Sequence, residues 1–291
     1  MSELTDQIRK DFEASDNIRD KGLTTPSTIQ RFDDIVYGRD EDWQVLDVYR
    51  PKSEKGLLPV IISVHGGNWV YGDKERYQFY CMNVAERGFA VVNFTYRLAP
   101  EFQFPASLED TNLVVEWVLA HADEYGLDSE HIFFVGDSAG AHILGLYAAI
   151  CTNANYASEY MFHVPEGFVP TAIALNCGKY DLRYKRLERT EAVLKDFLPE
   201  QGSEKERQLI QVVDHVTNAF PPTFLMTSNC DFLKEQAPVM AAKLVECNVP
   251  FVFSFYGTKE CELYHVFHCD IRSEAAAKCN DEECAYFRTF L

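Results

Sequence analysis

The sequence predicts an α/β fold, built as a mostly parallel, doubly wound sheet with helices on both faces and a small helical cap. Three observations carry this prediction. Short apolar runs rich in β-branched and aromatic residues recur along the chain, helical stretches separate them, and 291 residues suit one large domain. The runs are residues 60–64 (VIISV), 90–94 (AVVNF), 131–135 (HIFFV), 171–175 (TAIAL), 224–227 (FLMT) and 251–255 (FVFSF). Near-continuous apolar runs suit strands buried on both faces, as in a parallel sheet. Between them, Leu113, Val114, Trp117 and Val118 share one helical face in a segment that ends near Gly126. Residues 138–151 and 234–247 read as further crossover helices.

Two stretches break this rhythm. Residues 1–30 are polar and helical in pattern, and residues 182–219 are highly charged with scattered apolar positions. They are expected to form a cap over the carboxyl edge of the sheet, where open α/β folds bind ligands, or else to decorate its periphery. The whole chain, 1–291, reads as one domain.

Composition narrows the function classes. Hydrophobic residues make up 47 % of the chain, enough for a sizeable core and too many for a disordered one. Setting 45 acidic against 27 basic residues gives −18, a field that repels phosphate backbones and anionic lipid. Neither a nucleic-acid partner nor a membrane is expected. The start, Met1-Ser-Glu-Leu-Thr-Asp6, lacks the basic and apolar regions of an export signal, so the expectation is a cytoplasmic protein whose nine cysteines are reduced thiols.

The chemistry is concentrated in one pentapeptide. Gly136-Asp137-Ser138-Ala139-Gly140 matches G-x-S-x-G, follows an apolar strand and opens a helix of small residues. That strand–turn–helix setting holds a serine in strained geometry with its hydroxyl projecting from the sheet edge. The helix N-terminus beside it favours developing negative charge. Ser138 is therefore the candidate nucleophile, and it needs a base and an orienting acid later in the chain. Asp231, just after residues 224–230 (FLMTSNC), is preferred to Asp181 because it leaves room for a helix and a strand before the base. His265 and His268 both follow the last strand. His265 emerges first after the charged 259–262 loop and is preferred; His142, one turn into the serine helix, reads as a packing or hydrogen-bonding residue.

Acyl transfer also needs fixed donors for an oxyanion. His65-Gly66-Gly67-Asn68-Trp69 follows the strand 60–64, and its glycines let backbone N–H groups approach a ligand. Gly67, Asn68 and Ala139 are the expected donors, while Trp69 and Tyr71 are expected to line a small apolar acyl pocket. No C-x-x-C pair, G-x-G-x-x-G or Walker-type loop occurs, so neither metal nor cofactor is expected.

Together, residues 64–69 (VHGGNW), 96–101 (YRLAPE) with Phe104-Pro-Ala106 and Asp110, and 136–140 (GDSAG) resemble the α/β-hydrolases of the hormone-sensitive-lipase-like branch, especially small bacterial carboxylesterases and acetyl esterases. The resemblance runs from about residue 45 to the C-terminus. It implies Ser138 as nucleophile, Asp231 as acid and His265 as base, with Gly67, Asn68 and Ala139 around the oxyanion. It also implies that Arg97, Asp110 and Asp181 brace the fold. Two positions depart from the pattern: Asn68 replaces a third glycine, and Val266 replaces the glycine after the histidine. The expected reaction is hydrolysis of a small, short-acyl ester through an acyl-enzyme, with an amidase or formamidase, a peptidase, or a non-catalytic ligand-binding scaffold as alternatives. A small-molecule ester and a possible second copy of the chain are the expected partners.

Overall fold

The computed structural model describes residues 2–184 and 188–291; Met1 and residues 185–187, which fall within the two expected cap segments, lie outside the described residues. The strands are β1 (Ile29–Val36), β2 (Val45–Pro51), β3 (Leu58–Val64), β4 (Ala90–Phe94), β5 (Leu127–Asp137), β6 (Ala172–Asn176), β7 (Thr223–Ser228) and β8 (Phe251–Tyr256). They form one sheet in the order β1-β2-β4-β3-β5-β6-β7-β8. From β4 to β8 every pairing is parallel, and β1 and β2 add an antiparallel edge.

The helices are α1 (Glu3–Arg19), α2 (Lys74–Ala85), α3 (Ala106–Tyr125), α4 (Ala139–Thr152), α5 (Ala154–Ala157), α6 (Glu188–Phe197), α7 (Glu204–Leu209), α8 (Val212–His215), α9 (Gln236–Glu246) and α10 (Glu274–Arg288). Strand residues of opposite parity feed two cores, as the two-residue period requires. Val60, Ile62 and Phe134 pack with α3, α4 and α9, whereas Ile61, Phe133 and Val135 pack with α2 and α10. Helix α3 stops at Gly126, which takes the left-handed conformation that a glycine adopts without steric cost. Among the described residues no helix is long and apolar enough to cross a membrane.

The two outer strands have no counterpart in the sequence reading. β1 carries Arg31, Asp33 and Asp34 on an exposed edge, a composition that reads as loop but also suits an edge strand guarded by charge. β2 buries Asp47 under its neighbours, where Lys74 Nζ lies 3.0 Å away and the Tyr49 hydroxyl donates at 2.6 Å. In the first thirty residues the helix ends at Arg19, and Ile29 already belongs to the sheet.

Polar contacts fix the pieces nearest the sheet's carboxyl edge. Arg97 Nε donates to Asp110 Oδ1 at 2.9 Å, and Gln44 Nε2 donates to the same oxygen at 2.7 Å. Helix α1 packs on α6 through Thr5 Oγ1, which donates to Asp196 Oδ2 at 2.6 Å, and it buries Ile8 completely. On the other side, α10 inserts Glu283 beneath the sheet edge, where Asn176 Nδ2 donates to Oε2 at 2.6 Å. Burial raises the Glu283 carboxyl from 4.5 to about 7, even though hydrogen bonding from Asn176 works to lower it. Between pH 4.5 and 7 the folded chain therefore binds more protons at this group than the unfolded chain does, so its contribution to stability falls as pH rises. Glu283→Gln should remove that component. In urea titrations the stability of wild type relative to the variant should drop by up to about 3 kcal/mol between pH 4.5 and 7.5. Parallel pH profiles for the two proteins would contradict a buried, titrating Glu283.

Candidate active site

Strand β5 delivers Ser138 to the sheet edge and α4 starts at the next residue. Ser138 occupies φ 53°, ψ −116°, a region that a non-glycine residue enters only when its surroundings impose it. The imposing contacts are local. The Ser138 N–H donates to the Asn176 carbonyl at 2.9 Å, and Gly140 lies so close to β3 that a Cβ there would sit 2.0 Å from the Val64 carbonyl oxygen. A helix can approach a strand end this closely only with glycine at that position.

Two loops from the far side of the sheet reach this serine. Asp231 follows β7 and is almost wholly buried; its carboxylate accepts from the Leu233 N–H at 2.8 Å and from Thr227 Oγ1 at 2.9 Å. His265 follows β8. Its Nδ1 lies 2.7 Å from Asp231 Oδ1 and its Nε2 lies 2.8 Å from Ser138 Oγ. Since a carboxylate only accepts, Nδ1 carries the proton and Nε2 is left to accept from the serine hydroxyl. Burial works to raise the Asp231 carboxyl, but the hydrogen bond from His265 and its electrostatic attraction, with the Leu233 and Thr227 donors, hold it below its ordinary value.

His268 and Asp181 lie elsewhere. His268 is fully buried against Tyr80, its Nε2 is 3.6 Å from Cys269 Sγ, and burial depresses its pKa to about 3. Asp181 pairs with Arg183 at 2.9 Å. His142 accepts from Trp69 Nε1 at Nδ1 (3.2 Å) and faces the Ile210 carbonyl through Nε2 (2.9 Å), which fits a packing and hydrogen-bonding residue.

The loop after β3 turns sharply, with Gly67 at φ 122°, Asn68 at 53° and Trp69 at 63°. A Cβ on Gly67 would meet the Tyr71 carbonyl at 2.0 Å. Asn68 replaces a glycine at a left-handed position, which asparagine tolerates better than most residues. Val266 likewise replaces a glycine and stands at φ 52°, where a β-branched residue is strained. The backbone N–H groups of Gly67, Asn68 and Ala139 meet no acceptor among the described residues.

A relay joins the loop to the serine turn. The Gly66 N–H donates to the Tyr77 hydroxyl at 3.0 Å, and that hydroxyl donates to Asp137 Oδ2 at 2.8 Å. Burial raises Asp137 to about 6 against the opposing Tyr77 hydrogen bond. Nothing in the sequence pattern singles out Tyr77, because it lies on α2, outside the loop and turn motifs.

A cavity of about 280 Å³ opens over Ser138. Its floor includes Gly67, Asn68 and His265, and Phe232 and Val266 form one side. Tyr71 lines it. Trp69 does not: it is 3 % exposed, stacks on Phe197 at 5.0 Å and bonds to His142, so its ring belongs to the core below the cap. The roof comes from Phe12, Ser15, Asp16 and Arg19 of α1, which no sequence motif marks. Among the described residues, Cys177, Asp231 and His265 bring three metal-ligating atoms within 4.8 Å. The contact between Asp231 and His265 is already a hydrogen bond, and burial pushes the Cys177 thiol well above its ordinary pKa, so the thiolate a metal needs is disfavoured.

Residues 46–244 match the family model described as BD-FAE. The chain is 29 % identical over 240 residues to the versiconal hemiacetal acetate esterase of Dothistroma septosporum, covering 77 % of this chain and 71 % of that protein. It is 31 % identical over 151 residues to the esterase LipC of Mycobacterium tuberculosis, covering 50 % of this chain and only 36 % of that one. The crystal structure of esterase B from Lactobacillus rhamnosis has the same fold, with a TM-score of 0.90, 23 % identity, and coverage of 99 % of this chain and 95 % of that one. With the sheet order above, these likenesses identify the chain as a member of the BD-FAE family with the α/β-hydrolase fold, a carboxylic ester hydrolase by class.

Proposed function

We propose that this hydrolase is a serine carboxylesterase acting on small, short-acyl esters of the acetyl type through an acyl-enzyme. The observation that carries the reading is the position of His265, whose two ring nitrogens lie at hydrogen-bond distance from Ser138 and Asp231. In this mechanism His265 Nε2 takes the Ser138 proton as Oγ attacks the ester carbonyl, and Asp231 holds the resulting imidazolium. The oxyanion rests on the N–H groups of Gly67, Asn68 and Ala139, which have no other acceptor to give up. His265 then protonates the departing alcohol, and water repeats the sequence on the acyl-serine. The short-acyl preference is supported by the cavity: at about 280 Å³ it sits at the lower end of small-molecule sites, and α1 closes it above.

Hydrolysis of p-nitrophenyl esters from acetyl to octanoyl tests this directly. Turnover should peak at the shortest chains, and Ser138→Ala should lower kcat by at least about four orders of magnitude. A maximum at octanoyl, or activity that survives the substitution, would sink the proposal. A matched anilide should react far more slowly than its ester, because an amine leaving group demands more of the acid. The Tyr77 relay has a separate consequence. Tyr77→Phe keeps the ring but frees the Gly66 N–H and Asp137 from one another, so kcat should fall about tenfold or more with KM little changed. A kcat within about twofold of wild type would remove Tyr77 from the account of loop positioning.

A further inference from the structure

We propose that the α1 roof selects esters whose alcohol portion carries a hydrogen-bond donor, a hydroxyl or an ammonium group, over esters that present bare alkyl or a carboxylate there. The inference rests on the short-acyl esterase reading, in which a small acyl group leaves the α1 side of the cavity to the alcohol portion.

The argument is an inventory of donors and acceptors. Arg19 has five N–H groups, and four are already engaged. NH1 pairs with Asp16 at 2.9 Å, Nε and NH2 donate to Asp20 at 2.8 and 2.7 Å, and NH2 also donates to the Arg76 carbonyl at 2.6 Å. Its charge is matched by Asp20, so the guanidinium has little left with which to hold a substrate carboxylate. Asp16 stands differently. Its carboxylate accepts from the Tyr71 hydroxyl at 2.8 Å and from Arg19, which fills about half of its lone-pair positions. The Tyr71 oxygen, having spent its proton on Asp16, also presents lone pairs. The roof thus offers acceptors, and the floor adds a further carboxylate at Asp137.

Three ligand types meet this surface differently. A donor group on the alcohol completes the Asp16 and Tyr71 hydrogen bonding. An alkyl group strips water from those acceptors and gives nothing back, which is where discrimination against a missing hydroxyl arises. A carboxylate meets the Asp16 and Asp137 carboxylates, while the Arg19 charge on the same wall is already matched by Asp20. The roof is also fixed firmly enough to discriminate. Arg9 forks onto Glu101 at 2.8 and 2.7 Å, and Arg76 reaches across to Glu13 at 3.0 Å and Asn17 at 2.7 Å.

The test compares kcat/KM for four acetates: propyl acetate, ethylene glycol monoacetate, 2-(dimethylamino)ethyl acetate in its protonated form, whose ammonium N–H can donate, and O-acetylglycolate. Each is measured with wild type, Asp16→Ala and Asp16→Asn. Because each preference is a ratio within one protein, a partly folded variant still gives a readable value, and comparing ratios between proteins cancels the intrinsic reactivity of the esters. In wild type, the glycol ester or the aminoethyl ester should exceed propyl acetate by at least about tenfold, with O-acetylglycolate the poorest. The relative rates of the glycol and aminoethyl esters distinguish a hydroxyl from an ammonium donor. In Asp16→Ala the preference should collapse to within about twofold, and Asp16→Asn, which keeps an acceptor for Tyr71 but loses the charge, should lose the preference for the ammonium ester first. Hydrolysis of all four esters with ratios unchanged by either substitution would overturn this inference while leaving the esterase reading intact. Hydrolysis of none of them, nor of p-nitrophenyl acetate, would overturn the esterase reading and this inference with it.

Discussion

The rest of the site depends on one backbone constraint, the left-handed turn at Ser138. A serine at φ 53° is unfavourable by itself, and the fold holds it there from both sides. β5 is paired through its last residues, with Val64 opposite Gly136 on one flank and Asn176 opposite Asp137 on the other. The chain therefore has no freedom to relax before the turn. After it, α4 must start at once, because Gly140 is already wedged against the carbonyls of Val64 and His65. The same wedge brings the β3 loop, with its free N–H groups, beside the serine. Strain at one residue and the closeness of two loops are a single geometric fact.

Much of this was legible in the sequence because it is local. The strand runs, the small residues after Ser138 and the glycines after β3 are short-range patterns, and each encodes a conformation that few other residues permit. The structure then places Asp231 and His265 in contact with the serine's neighbourhood and keeps His268 and Asp181 away. What was not legible depends on tertiary pairing. β1 and β2 carry charges that look like loop until Asp47 finds Lys74 and Tyr49. Trp69 sits beside the oxyanion loop in sequence, yet its left-handed backbone turns the ring down onto Phe197. The roof of the cavity comes from α1, more than a hundred residues before Ser138 and without any motif of its own.

Polar groups buried outside the Ser138–His265–Asp231 group do a second job, that of fixing distances between elements that hydrophobic packing alone would leave adjustable. Dispersion and burial hold α10 and α2 against the sheet through Phe287, Met82 and their neighbours, but such contacts are non-directional. Glu283 on α10 grips the side chain of Asn176, whose carbonyl holds the Ser138 N–H. Tyr77 on α2 ties Gly66 to Asp137. Each hydrogen bond has a preferred length and angle, so the two helices on this face are both keyed to the serine turn. The cost is a pair of carboxyls held in low dielectric, which is why both titrate above their ordinary range.

Helix α1 divides the labour differently. It belongs to none of the crossovers that build the sheet, and it reaches the core through few side chains, chiefly Ile8 with Leu4 and Phe12 beside it. Its position is set instead by ion pairs and caps: Ser2 and Thr5 to Asp196, Arg9 to Glu101, Arg76 to Glu13, and Arg272 to the carbonyls at its C-terminal end. Such contacts tolerate substitution on the cavity side without disturbing the sheet, because nothing in the Ser138 turn leans on Asp16 or Phe12. A scaffold arranged in this way can keep one reacting centre and change what it accepts by changing a single helix. The sequence carries a readable motif at Ser138, where geometry permits few alternatives, and an unreadable one on α1, where many side chains would serve equally well to close a cavity and only the ligand distinguishes them.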